Sequence, residues 1–113
     1  MAKPATNNYE PQLKGDTFRG GEYTIVPSTD LTGATGRCQF RLGGKNNAVV
    51  VELTIGNGLT ITDAINSIYQ IDEIQRLDWE VGNYNYDIEF TLPNGDIITP
   101  SEGILPVVQD TSQ

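Results

Sequence analysis

From Tyr84 to Leu92 the side chains alternate without a break. Tyr84, Tyr86, Ile88, Phe90 and Leu92 are apolar, and Asn85, Asp87, Glu89 and Thr91 between them are polar. Successive side chains of a strand point to opposite faces, so this stretch predicts a strand with one face in a core and the other in water. Pro93-Asn94-Gly95-Asp96 follows at once. Asn-Gly is a strong short hairpin signal, so a partner strand is expected near Ile97 to Val107. There Pro100 and Pro106 predict an edge or a break, because proline has no N–H to give to a ladder.

The rest of the chain is punctuated in the same way. Gln12 to Phe18, interrupted by Gly15-Asp16, and Glu22 to Val26 read as extended, and Pro27-Ser28-Thr29-Asp30 reads as a turn. Cys38, Phe40 and Leu42 form the inward set of a strand whose outward set is Arg37, Gln39 and Arg41. Gly43 to Asn47 is of hairpin length and leads to Ala48–Thr54, where three consecutive valines favour a strand. Gly56-Asn57-Gly58 turns the chain again, before a short strand with Leu59 and Ile61; Ile65, Ile68 and Ile71 have a spacing that also suits a helix. In Asp72–Asp78, a capping Asp72, Gln75 three residues on, and Ile74 with Leu77 on one face predict one helical turn. Some seven short strands at turn intervals of about 8 to 12 residues predict an all-β, antiparallel sandwich or small barrel.

With 113 residues the chain is expected to be one domain. Residues 1–11 are polar, carry Pro4 and Pro11 and show no period, so they read as a flexible N-terminal arm. Residues 12–108 read as the β-domain and 109–113 as a loose C-terminal tail. No apolar stretch resembles a signal peptide or a membrane span, and the expectation is synthesis in a cytoplasm.

Composition narrows the chemistry. A formal net charge of −8 argues against nucleic acid and anionic membranes as partners, because both are bound by clustered Lys and Arg. After Arg76 no basic residue follows, an asymmetry that reads first as an acidic, solubilising surface and second as one that would orient copies packed head to tail. There is no His and a single Cys, which excludes His-dependent triads and internal disulfides. Cys38 shares the alternating face of Phe40 and Leu42, as a small buried hydrophobe would.

Asp87 and Glu89 fall on one outer face. Paired carboxylates serve glycosidases across an aromatic-walled cleft, whereas these two suit a solvated sheet face, so no catalytic residue is assigned. Asp30 and Asp96 offer carboxylates in turns but belong to no EF-hand pattern, and no metal or cofactor is expected. Gly43-Gly44-Lys45 lacks the spacing of a phosphate-binding loop. Trp79, between Asp78 and Glu80, reads either as half-buried or as a partner anchor.

The order of the pieces carries a further signal. "LKGDTF", "DLTGAT", "RCQFRL", "VVVELT", "GNGLTI", "DEIQRL" and "GNYNYDIEFTLPNGDIITPSEGILPV" together resemble a small Ig-like β-sandwich domain of tailed bacteriophages. It is similar to the N-terminal domain of phage baseplate upper proteins and of tail-fibre accessory proteins, over about Leu13 to Val108. The resemblance implies a non-enzymatic virion structural protein, present in multiple copies in a symmetric assembly, with tail, baseplate or fibre subunits as partners. Family members often continue into a fibre or receptor-binding segment; with this chain ending at Gln113, the expectation is an adaptor. Asn7, Asn8 and Tyr9 of the arm, together with Trp79, Asp87 and Glu89, are the candidate partner-binding residues. Two alternatives stay open: a capsid decoration or cement protein, and a carbohydrate-binding module using Tyr69, Trp79, Tyr84 and Tyr86.

Overall fold

The computed structural model describes residues 5–109. Nine strands make up the architecture, and no helix occurs among the described residues. They are β1 (Ala5–Thr6), β2 (Gln12–Leu13), β3 (Gly21–Thr24), β4 (Thr35–Leu42), β5 (Val49–Ile55), β6 (Gly58–Asp63), β7 (Ile68–Ile71), β8 (Gly82–Thr91) and β9 (Ile97–Val108). The strands form one continuous sheet in the order β1-β9-β8-β4-β5-β6-β7-β3, with β2 also on β9. The sheet curls into two layers, an all-β, sandwich-like domain.

The centre of the larger layer is the pair β4 and β8, antiparallel from Thr35↔Thr91 to Leu42↔Tyr84. Their shared register places Cys38 opposite Ile88 and Phe40 opposite Tyr86. All four are buried, and Tyr84 and Phe90 join them. Leu59, Tyr69 and Ile71 of the smaller layer and Leu105 and Val107 of β9 close the same core. Between β5 and β6 the only pairing is Thr54↔Gly58 and Ile55↔Leu59, so the layers change where Gly56-Asn57 turns the chain.

The hairpin from β8 to β9 is built as expected: Leu92 N–H donates to Asp96 O, and Gly95 N–H donates to Leu92 O. β9 tolerates both of its prolines. The register between β8 and β9 slips between Ile88 and Phe90, leaving Thr99 and Pro100 in the irregularity. Pro106 alternates with Glu102, Ile104 and Val108, whose backbones face the N-terminal stretch. Pairing there lapses over Glu10 and Pro11, where Pro106 has no N–H to offer.

Three expectations differ from the structure. The helical turn at Asp72–Asp78 is absent; the stretch is extended and bonded to the chain's start. Phe18 and Ile74 exchange both backbone hydrogen bonds, Gly15 N–H donates to Leu77 O, and Leu77 N–H donates to Asp16 O. A bend at Gln75–Arg76 breaks the alternation, which brings Ile74 and Leu77 to one side without a helix. Asp72 caps nothing; its carboxylate accepts from Thr60 Oγ1 at 2.8 Å and Gln70 Nε2 at 2.9 Å.

Secondly, the sheet is not wholly antiparallel, since β1 and β2 pair with β9 in parallel and β5 with β6 likewise. Thirdly, where a flexible arm was expected, residues 5–9 lie along β9 as an outer strand. A polar sequence hides this because its backbone, two asparagine amides and the single Tyr9 make the attachment while most of its side chains stay exposed. Residues 1–4 of that expected arm and 110–113 of the expected tail lie outside the described residues.

Candidate partner-binding surface

The six candidate residues do not form one site. Asn7, Asn8 and Tyr9 are fixed by β9 and the core beneath it. Asn7 Nδ2 donates to Ser101 Oγ at 2.7 Å, and its carbonyl accepts from the Tyr86 hydroxyl. Asn8 Oδ1 accepts from Ile104 N–H at 3.0 Å. Tyr9 meets Phe18 edge-on, with ring centroids 5.2 Å apart, and tilts against Tyr86 at 5.6 Å. Its hydroxyl is hydrogen-bonded to that of Tyr23, on the strand at the other end of the sheet. This contact spans the seam between the two sheet ends.

Trp79 is half-buried; it packs edge-on against Phe40, with ring centroids 4.9 Å apart, and tilts against Tyr84 at 5.2 Å. Of its two sequence readings, the structure favours half-burial. Asp87 and Glu89 lie on the outer face of β8, as the alternation predicts, both part-exposed. Glu89 pairs with Arg37 across the ladder at 3.1 Å. Asp87 faces Gln39 on one side and Glu102 on the other and has no ion-pair partner among the described residues.

Asn8 and Asp87 share one open depression of about 330 Å³, which Arg41, Lys45, Asn85 and Glu102 also line. Lys45 lies 3.7 Å from Glu102, and Arg41 donates to Gln39 Oε1 at 3.3 Å. The depression therefore carries two cations, two carboxylates and two amides on a largely solvent-facing floor, a surface suited to polar contacts. Asn7 faces a second groove of about 530 Å³, bounded by Tyr23, Ile25, Val26, Pro27 and Ile98. Val26 there is 85% exposed. Sequence reasoning missed that Arg41 and Lys45 line one depression with Asp87, although the polar face of the Cys38 strand already carried Arg41. It also missed the apolar groove, whose residues come from segments far apart in sequence.

Burial pushes the Cys38 thiol well above its ordinary range, and nearby Asp87 adds to the effect. Asp30, fully exposed, is held below the usual carboxylate range, first by the Thr32 hydroxyl at 2.6 Å and then by the Thr32 N–H at 2.9 Å. Its carboxylate is thus engaged in its own turn. Asp96 is engaged similarly, since Asn94 Oδ1 accepts from Asp96 N–H at 2.9 Å and Asn94 Nδ2 donates to Asp96 Oδ2 at 3.2 Å. Among the described residues, no three His, Cys, Asp or Glu side chains gather in a way that could hold a metal ion.

The fold and surface define an all-β domain that presents one polar, charged depression and one apolar groove. No protein-family model matches the chain, and no curated protein matches its sequence.

Proposed function

We propose that this chain is a non-enzymatic structural protein of a phage virion, an adaptor at the tail, baseplate or fibre attachment point that works by protein–protein assembly. The observation that carries the reading is where the resembling motifs fall. "YDIEFTLPNGD" forms the central strand and hairpin of a β-sandwich-like domain, its aromatics in the core and its acids facing outward. A rigid domain of this kind contributes shape and edges, and its partners are other virion subunits that meet the outer faces and the N-terminal stretch. Assembly takes place in the host cytoplasm, and the finished protein resides in the particle.

The rival carbohydrate-binding reading loses support from the same geometry. Tyr69, Tyr84 and Tyr86 are 1%, 2% and 4% exposed, and Trp79 leans on Phe40 and Tyr84, so none of the four offers a free stacking platform. Capsid decoration is the remaining rival, and copy number separates it from a tail adaptor. Quantitative mass spectrometry of purified particles is expected to find a handful to dozens of copies per virion. A count in the hundreds would favour a decoration protein and count against the adaptor.

A further inference from the structure

The strand pairing of residues 5–13 is with β9 alone. Ala5 and Thr6 pair with Ser101 and Glu102, Asn7 N–H donates to Glu102 O at 2.8 Å, and Tyr9 N–H donates to Ile104 O at 2.9 Å. Gln12 and Leu13 then pair with Val107 and Val108. Among the described residues no strand covers the far side of this stretch, and Ala5, Thr6, Asn8, Glu10 and Pro11 are exposed.

The β9 groove is fitted to what lies in it. A Cβ on Gly103 would stand 2.0 Å from Asn7 O, so only glycine lets the segment's backbone approach so closely. Ser101 takes the Asn7 amide, Ile104 N–H takes the Asn8 side chain, and Phe18, Tyr86 and the Tyr23 hydroxyl receive Tyr9. The occupant is thereby specified at three successive side chains and one carbonyl.

Lys14–Asp16 is built as a hinge. Gly15 has φ +96° and a Cβ there would meet nothing within 4 Å; the turn is closed by Asp16 N–H donating to Leu13 O at 3.1 Å. Lys14 N–H still donates to Val108 O of β9, and from Gly15 on the chain is held instead by Ile74 and Leu77, through the bonds of Gly15, Asp16 and Phe18. Opening the turn therefore frees residues 5–13 while residues 15–109 keep both layers of the sheet.

We propose that residues 5–13 are an exchangeable strand and that the β9 groove of one chain receives residues 5–13 of a second copy. Every contact made within one chain is then remade between two, and only the turn changes, which is why exchange of identical elements is a low-cost route to association. Reciprocal exchange closes a dimer, and head-to-tail exchange links copies into rings or rows. The inference concerns how copies join and stands apart from the virion reading.

Thr6 and Glu102 are register partners, and neighbouring strands lie about 4.8 Å apart, within disulfide reach. Full-length Thr6→Cys and Glu102→Cys variants are mixed, unfolded in urea, refolded together at increasing protein concentration and oxidised. The expected product is a disulfide-linked dimer with one chain of each kind, its yield rising with concentration. Thr6→Cys refolded with Asn83→Cys sets the collision background, and a mixed-dimer yield no higher than that background overturns the proposal. The double variant Thr6→Cys/Glu102→Cys, refolded dilute, should close an internal disulfide, showing that the variants fold with the segment in the groove. Failure to close it would remove the pairing on which exchange rests. Neither result bears on where the protein sits in a particle.

Discussion

Gly103 has room for a hydrogen and nothing larger, because Asn7 O occupies the place of a side chain. Gly103→Ala should displace residues 5–9 and lower stability by about 1–3 kcal/mol, the range seen when a tight contact is overfilled. Urea unfolding measures this, and an unchanged midpoint would contradict the account. Glu89 and Arg37 form a part-exposed pair, and such pairs contribute little in water. Glu89→Gln should therefore shift stability by less than about 1 kcal/mol. Cys38 is 0% exposed, and burial favours its protonated thiol, so iodoacetamide should leave it unmodified in the folded protein and alkylate it in urea. Alkylation at equal rates in both states would contradict its placement. At this scale the alternating faces were legible: Cys38, Phe40, Tyr84, Tyr86, Ile88 and Phe90 are all buried as their period predicts. Ser67 and Ser101 were not, since polar residues are buried here only through partners remote in sequence, Thr29 for one and Asn7 for the other.

Among the elements, the seam between the sheet ends carries a titration signature. Tyr9, Tyr69 and Tyr86 all hold their protons above the ordinary phenol range, chiefly because burial penalises the phenolate. The folded state then keeps protons that the unfolded chain releases above about pH 10, so this stabilisation is intact below that pH and is lost as pH rises through and beyond it. Cys38 acts in the same direction from about pH 8.5. Urea midpoints measured across this alkaline range should fall progressively, and a flat profile would contradict the buried tyrosine seam. The hairpin after Thr91 was legible because its turn chemistry is local. Asp72–Asp78 was misread because capping residues and a spacing of three imitate a helix, whereas reciprocal bonding of Ile74 with Phe18, 56 positions away by numbering, decides the conformation.

For the whole molecule, the sequence pattern reached the all-β, sandwich-like class but not the way the sheet ends meet. The N-terminal stretch looks like a polar arm because a strand attached through backbone bonds, two amide side chains and one tyrosine leaves no alternating pattern. Its position along β9 also explains why Asn8 lines the polar depression with Asp87 while Asn7 faces the apolar groove. What remains exposed is a polar depression, an apolar groove and a strand edge, the surfaces on which the proposed assembly role rests. The measurement that bears most directly on that role is immunogold labelling of intact phage particles with antibody to this protein. Gold confined to the tail end is the predicted result; gold spread over the head, or none on particles that bear every other structural protein, would contradict it.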